Sequence, residues 1–336
     1  MLHNRIKKKY KTTEAIIMLR FGAVTIDVSH PKTFAKVLSE GNRAQYTGVF
    51  NDGFRSDEEV REYADTYGIK IYDNLDEMID NIDVGLVHSC NWDKHLDYIM
   101  HFVNKGKPVF VDKPLVGNLK DCERLLELAR GGAKILGTSA MRFCREVSEA
   151  KEKMKAAGSR PLHVVTTIGI DEYNYAIHAI ELVCGVIDSR PVSCRYIGTA
   201  NIDKDAEKCE SYFIRFENGA TATCHLVGKK YVLSNTIIIT DSTAPESDLV
   251  FIPAIEGLYN PLLDRICESV EEDKNALATM EEMVDAIKVL LAGRASREDG
   301  GAEVMLSDTD RLMKISFDGY EFERGYSAAA IAARKK

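Results

Sequence analysis

From Phe21 to Gly137 the chain repeats one pattern, a short apolar run followed by a stretch of helical character. Apolar runs predict strands at Phe21–Ile26, Ala44–Phe50, Ile69–Tyr72, Val84–His88, Pro108–Val111 and Lys134–Gly137. Between them helices are predicted at Pro31–Ser39, Asp57–Tyr67, Leu75–Ile79, His95–Asn104 and Leu119–Arg130. Short connections between alternating strands and helices are the signature of a parallel sheet covered on both faces. Such a sheet takes ligands beyond the carboxyl ends of its strands, where strand order reverses.

The rhythm changes after about residue 142. A charged helix (Val147–Ala157), a β-branched run (Leu162–Ile170) and an apolar helix (Tyr173–Cys184) lead into strands without intervening helices. These are Val192–Thr199, Glu210–Phe216, Ala220–Val227, Tyr231–Thr240 and Asp248–Ile252, with turns at Asn218-Gly219 and Gly228-Lys229. Helices at Pro261–Glu271 and Thr279–Ala292 close this part, and Met313–Glu323 reads as a hairpin before a short helix at Ala328–Arg334. A chain of 336 residues exceeds one ordinary core and suits two domains. The expectation is therefore α/β: a parallel-sheet domain at 18–141 and an α+β domain with a largely antiparallel sheet at 142–306. These are flanked by a basic extension at 1–17 and a C-terminal extension at 307–336.

The net charge of −8 argues against nucleic-acid binding, because phosphate contacts need a basic face. The one basic run, Arg5 to Lys9, reads as a solvated, disordered tail rather than a contact for an acidic partner. No stretch approaches the ~20 apolar residues that span a bilayer, and no signal peptide is evident. Eight scattered cysteines without a C-x-x-C pair read as reduced core thiols in a cytoplasmic protein, and their spacing supports no zinc site.

Two segments carry candidate chemistry. In Lys107–Leu115 a buried strand ends in Lys113, which proline holds out of helical geometry at the carboxyl end of the sheet. A lysine there can hold a substrate hydroxyl or a developing alkoxide, and partial burial lowers its pKa; a surface lysine capping the strand is the competing reading. In the apolar helix, Asn174, His178 and Glu181 share one face. Histidine suits acid–base work near neutrality, although a packed histidine bonded to a neighbour would look the same in sequence.

The segment Asp83–Gly137 resembles the Gfo/Idh/MocA oxidoreductases, the group of glucose-fructose oxidoreductase and inositol dehydrogenase. Members carry a Thr-Pro-Asn-like turn, a helix, then Gly-Lys-x-Val-x-x-Glu-Lys-Pro. The counterparts here are Ser89-Cys90-Asn91 and Gly106–Pro114, with Asp112 in place of Glu. Met141-Arg142-Phe143 resembles the family's crossover, and the 174–185 helix resembles its Asp-x-Gly-x-His helix, with His178 on the histidine. Ser296–Leu306 resembles its closing motif, so the likeness covers residues about 20–306.

The resemblance implies a Rossmann-like domain binding NAD or NADP, and a sugar-like or polyol substrate. His178 would take a proton from a secondary alcohol whose carbon passes hydride to the nicotinamide, while Lys113 holds the oxygen. Arg142 would contact substrate, and Ser89, Asn91, Asp112 and Lys113 would border the cofactor; Tyr175, near His178 in the chain, reads either as a substrate contact or as a core tyrosine. It also implies a homodimer or homotetramer paired through the C-terminal sheet.

The chain departs from the family in two places. A dinucleotide turn normally reads G-x-G-x-x-G, but after Gly22 the turn here contains Asp27, Val28, Ser29 and His30 and no glycine. Ser29 can cap the following helix, whose N-terminus attracts phosphate, whereas Asp27 repels it. Asp27 and His30 thus read as a capping arrangement, as part of an altered cofactor or substrate site, or, with His88 or His95, as metal ligands; no metal is expected. Asp52, after the second strand, can accept from ribose hydroxyls and would favour NAD over NADP, with Arg55 pulling the other way. The second departure is Asn174, which stands where the family carries an acid, so Glu181 is the substitute partner for His178. These departures keep two rivals open: a redox-inactive member that binds a small molecule or protein, and a lyase or hydrolase using the same cleft.

Overall fold

The computed structural model describes residues 18–202, 207–228, 234–244 and 248–334. The N-terminal half alternates β1 (Leu19–Val24), α1 (His30–Ser39), β2 (Ala44–Phe50), α2 (Asp57–Tyr67), β3 (Lys70–Ile71) and α3 (Leu75–Asp80). It continues through β4 (Val84–Val87), α4 (His95–Asn104), β5 (Val109–Val111), α5 (Leu119–Arg130) and β6 (Ile135–Gly137). β4, β5 and β6 are buried throughout, as strands covered on both faces must be. The six strands pair in parallel in the order β3-β2-β1-β4-β5-β6. Strand order reverses between β1 and β4, and a crevice opens beyond their carboxyl ends.

The second part comprises α6 (Arg145–Ala157), β7 (Pro161–Gly169), α7 (Ala176–Ile187), β8 (Pro191–Ala200), β9 (Cys209–Phe216), β10 (Thr221–Val227) and β11 (Thr236–Thr240). It ends with β12 (Leu249–Phe251), α8 (Asn260–Glu271), α9 (Met280–Glu298), β13 (Val304–Met305), α10 (Thr309–Leu312) and α11 (Gly319–Arg334). Its sheet runs β12-β11-β7-β10-β9-β8-β13, antiparallel except for the parallel β7–β10 pair. Every residue of α7 except His178 is buried, because the helix is apolar all round and lies between the sheet and the first domain. Among the described residues no helix is long and apolar enough to cross a membrane. The eight cysteines are unpaired, and seven of them are buried.

Several expectations change. The predicted hairpin near Asp318-Gly319 is a helix start: the Asp318 carboxylate accepts the Glu321 N–H at 2.7 Å, and α11 runs on from there. α7 begins at Ala176 because Asp171 accepts the N–H groups of Tyr173 and Tyr175 and holds those residues in a turn. α8 packs on the first domain, sharing a core with Phe34 and Leu38 of α1. The Gly228-Lys229 turn cannot join a hairpin, since β10 and β11 flank β7, and Lys229 lies outside the described residues. So do residues 1–17, with their expected basic tail, and the start of the strand predicted from Tyr231.

Arg142 and Glu181 are also reassigned. They form a buried ion pair, Nε to Oε2 at 2.5 Å, with the guanidinium 6% and the carboxylate 2% exposed. Glu181 further accepts from Thr138 Oγ1 at 2.9 Å, and Arg142 reaches Glu282 at 3.3 Å. Glu181 is therefore not a partner of His178, and Arg142 is sealed away from substrate. The pair instead fixes α7 to the segment after β6, where a Cβ on Gly185 would stand 2.7 Å from the Arg142 carbonyl. Breaking such a pair from one side leaves a buried charge uncompensated. Glu181→Ala is therefore expected to lower the unfolding free energy by about 3–5 kcal/mol in urea denaturation, and a loss below about 1 kcal/mol would contradict the assignment.

Candidate active site

One cavity opens between the carboxyl ends of the parallel sheet and the second domain. Its walls come from the β1–α1 turn, the segments after β4, β5 and β6, the start of α7, the loop before α8, and α11.

Asp112, at the end of β5, organises one wall. Its Oδ2 accepts from His30 Nδ1 at 2.5 Å and from His88 Nδ1 at 3.2 Å, and its Oδ1 accepts the Lys113 N–H at 2.9 Å. Burial would push this carboxyl up, but the two imidazoles outweigh it and hold Asp112 well below the usual carboxylate range. His88 has its own pKa lowered by burial, so it is the neutral tautomer with Nδ1–H toward Asp112 and Nε2 accepting from Tyr46 OH at 2.8 Å. A buried chain thus runs Tyr46–His88–Asp112–His30, and His30 is its cavity-lining end. His95 Nδ1 lies 2.8 Å from the Leu115 carbonyl and Nε2 lies 3.0 Å from the Ser89 carbonyl, and the neutral ring donates to one of them. Neither His88 nor His95 is therefore placed as a metal ligand.

The same cavity carries the expected pair. Lys113 Nζ donates to the Asn174 carbonyl at 2.9 Å and to its side-chain Oδ1 at 3.1 Å, and sits over the Tyr175 ring at 5.3 Å. Burial lowers the Lys113 pKa, with Asp112 and Asp171 opposing. Asn174, in the turn before α7, thus orients Lys113 rather than His178. His178 Nδ1 lies 2.6 Å from Ser139 Oγ. Burial first, then the Lys113 charge, hold His178 well below the ordinary histidine value, so it is neutral. Lys113, Asn174, Tyr175 and His178 all line the cavity.

The turn after β1 is differently furnished. Thr25 takes a φ of +62°, a conformation costly for a β-branched residue, and its buried hydroxyl has no partner. The Asp27 carboxylate is buried and accepts the N–H groups of Phe54 and Cys90 at 3.2 and 3.3 Å. It lies so close to Gly53 that a Cβ there would stand 2.1 Å from Oδ1. Burial, with Glu323 adding to it, raises the Asp27 pKa to about 6. Ser29 precedes α1 without a side-chain cap bond. Asp52 accepts from Tyr98 OH at 2.5 Å, and Arg55 is committed to the Asp27 carbonyl and to Glu59. Ser89 and Asn91 hydrogen-bond within their own turn, and Asn91 Nδ2 donates to Glu323 at 2.9 Å.

Asp27, Cys90 and Glu323 bring ligand-type atoms within 4.8 Å of one another. Burial and the adjacent Asp27 push the Cys90 thiol well up, so it is the neutral form rather than the ligating thiolate.

Ser139, Tyr259, Phe322, Glu323 and Tyr326 are site neighbours missed by sequence reasoning. Ser139 could have been found by its place just beyond the carboxyl end of β6. The three on α11 carried no signal once that segment was read as a hairpin.

The imidazoles held neutral fix a sign for stability against pH. His88, His95 and His178 all have folded pKa values below their unfolded one. The unfolded chain therefore binds the extra protons, and stability is full above about pH 6.5 and is lost as pH falls below it. Asp27, raised to about 6, works the other way with a single proton. The melting temperature is expected to drop between about pH 7.5 and about pH 5.5; a flat or rising profile would show that these imidazoles are not held neutral.

Residues 26–139 match the model of an oxidoreductase family described as having an NAD-binding Rossmann fold. Inositol 2-dehydrogenase of Gluconacetobacter diazotrophicus is 30% identical over 113 residues, 33% of this chain and 32% of that protein. Inositol 2-dehydrogenase of Serratia proteamaculans is 31% identical over 144 residues, 38% of this chain and 42% of that one. These matches thus span 32% and 42% of the relatives' own lengths. The crystal structure of myo-inositol dehydrogenase from Lactobacillus casei, in complex with NAD(H) and myo-inositol, superposes with a TM-score of 0.71 at 13% identity. It covers 86% of this chain and 97% of that one, a likeness of fold across both domains. Over residues 26–139 the chain matches the Gfo/Idh/MocA oxidoreductase family.

Proposed function

We propose that this chain is an oxidoreductase acting on a secondary alcohol of a sugar-like or polyol substrate, with a nicotinamide cofactor as hydride acceptor. The observation that carries the reading is the meeting of Lys113 and His178 on one cavity at the carboxyl ends of the parallel sheet. With Nδ1–H donated to Ser139, neutral His178 keeps the Nε2 lone pair to take the hydroxyl proton. Lys113, aimed by Asn174 and braced on Tyr175, donates to the same oxygen and offsets its developing charge. Tyr175 adds an aromatic face for the substrate's C–H groups. His30, on the Asp112 chain, is a further polar contact within the cavity.

NAD is favoured over NADP. The Asp52 carboxylate at the end of β2 repels a 2′-phosphate, and Arg55, the nearby cation, is bonded to Asp27 and Glu59. A homo-oligomer through the outer face of the seven-stranded sheet is part of the reading. One register across that face presents Arg195, Phe213, Thr223, Val165, Ile237 and Val250.

In the arrangement described, however, the groove does not fit a dinucleotide. Asp27 puts a carboxylate on the N–H donors of Phe54 and Cys90, and Glu323 stands beside it. A pyrophosphate there would meet two acids.

The test is a polyol screen with NAD+ and NADP+, following formation of reduced nicotinamide. On a responsive substrate, Lys113→Ala and His178→Ala are each expected to lower kcat by about 10²–10⁴-fold while nucleotide affinity stays within about twofold. In the natural protein kcat/KM should hold level below the ordinary histidine pKa of about 6.5, because His178 stays neutral there. Full activity in either alanine variant would remove the proposed chemistry.

A further inference from the structure

We infer that α11 is a displaceable strap across the dinucleotide groove, so that a nicotinamide nucleotide and this helix compete for one place. The inference rests on the oxidoreductase reading above and concerns the regulation of that same site.

α11 crosses the crevice at the reversal of strand order. Tyr326 packs edge-on against Phe54 after β2, with centroids 6.0 Å apart, and Phe322 lies 5.0 Å from Trp92 after β4. Glu323, between them, accepts from Asn91 at 2.9 Å and pairs with Lys94 at 3.3 Å. Phe322 and Tyr326 line the cavity beside Val28, Ser29, Ser89 and Cys90. These are the turn after β1 and the turn after β4, between which a dinucleotide lies in a sheet of this order.

The helix is held in two unequal ways. Just before it the chain is anchored: Trp92 Nε1 donates to the Phe317 carbonyl at 2.7 Å, the Phe317 N–H donates to Gly117 at 2.8 Å, and Phe317 stacks on Tyr173 at 4.0 Å. Beyond Gly319 the grip is slight. No residue from Tyr320 to Ala333 is fully buried, and Ile331 is 45% exposed. The Lys94–Glu323 pair is partly solvated and adds little. Gly325 sits mid-helix, where it costs about 1 kcal/mol relative to alanine. A segment with few buried contacts next to a firm anchor belongs to the low-stability end of a structure. Asp27 and Glu323 also place two carboxylates close together, a juxtaposition that departure of the helix relieves.

The experiment titrates NADH by nucleotide fluorescence into the full-length natural chain and the full-length Phe322→Ala/Tyr326→Ala variant. Amide hydrogen exchange of residues 319–334 in the natural chain is followed with and without NADH. If the helix covers the groove about nine-tenths of the time or more, the variant binds at least about tenfold more tightly, since apparent affinity scales with the open fraction. By the same linkage NADH speeds exchange in α11 of the natural chain. Equal affinity in the two proteins, with α11 exchange unchanged or slowed, overturns the strap and leaves the oxidoreductase reading standing. No binding by either protein at millimolar NADH overturns both. Circular dichroism of the variant checks its fold, and the exchange measurement decides the matter on the natural chain if that fold is lost.

Discussion

Three separately encoded pieces of the cleft converge on the Asp112 carboxylate: the start of α1 through His30, the end of β4 through His88, and the backbone of Lys113. A carboxylate taken out of water costs several kcal/mol unless it is paired and hydrogen-bonded. Here the loss is offset by two imidazole donors and one N–H, and the site's rigidity follows from that requirement. Moving any of these partners would leave a buried charge short of a donor. Lys113 is therefore set by the sheet at its backbone and by Asn174 at its ammonium end, and His178 faces it from α7.

A second buried charge pair does the same work at a distance. Arg142 and Glu181 lock α7 to the segment leaving β6, which also supplies Ser139 to His178. Neither member of the pair touches the cavity, yet both decide where His178 stands. The two domains thus meet on polar pairs that tolerate little displacement, with apolar α7 filling the space around them. The groove for a dinucleotide is treated differently, since buried Asp27, together with Glu323 and the aromatics of the less firmly held α11, fills it with side chains.

Much of this was legible in the sequence. The alternation to Gly137 led to the parallel sheet, with β2, α2, α4 and α5 at their observed limits, because short strands and capped helices announce both period and ends. Lys113 and His178 stood out because position in a parallel sheet and a polar residue in an apolar helix are local signals, and both line one cavity. Helical spacing put Asn174 on one face with His178, but the Asp171 turn delays α7, and Asn174 meets Lys113 instead. Arg142 and Glu181 were misassigned because a charge in sequence does not reveal whether its partner is substrate or another buried charge 39 residues away. The strap was invisible for a similar reason. Asp318-Gly319 suits a hairpin turn and a helix start equally, and the contacts of Phe322 and Tyr326 with the β2 and β4 turns are long-range.

Whether this cleft moves hydride or only protons is the question on which the account stands. Carbon-deuterated inositol, incubated with NAD+ and either the natural chain or the Phe322→Ala/Tyr326→Ala variant, answers it directly by mass spectrometry of the nucleotide. The account predicts deuterium in the reduced nicotinamide ring. Deuterium that stays on the polyol or exchanges into water, with none in the nucleotide, would contradict it.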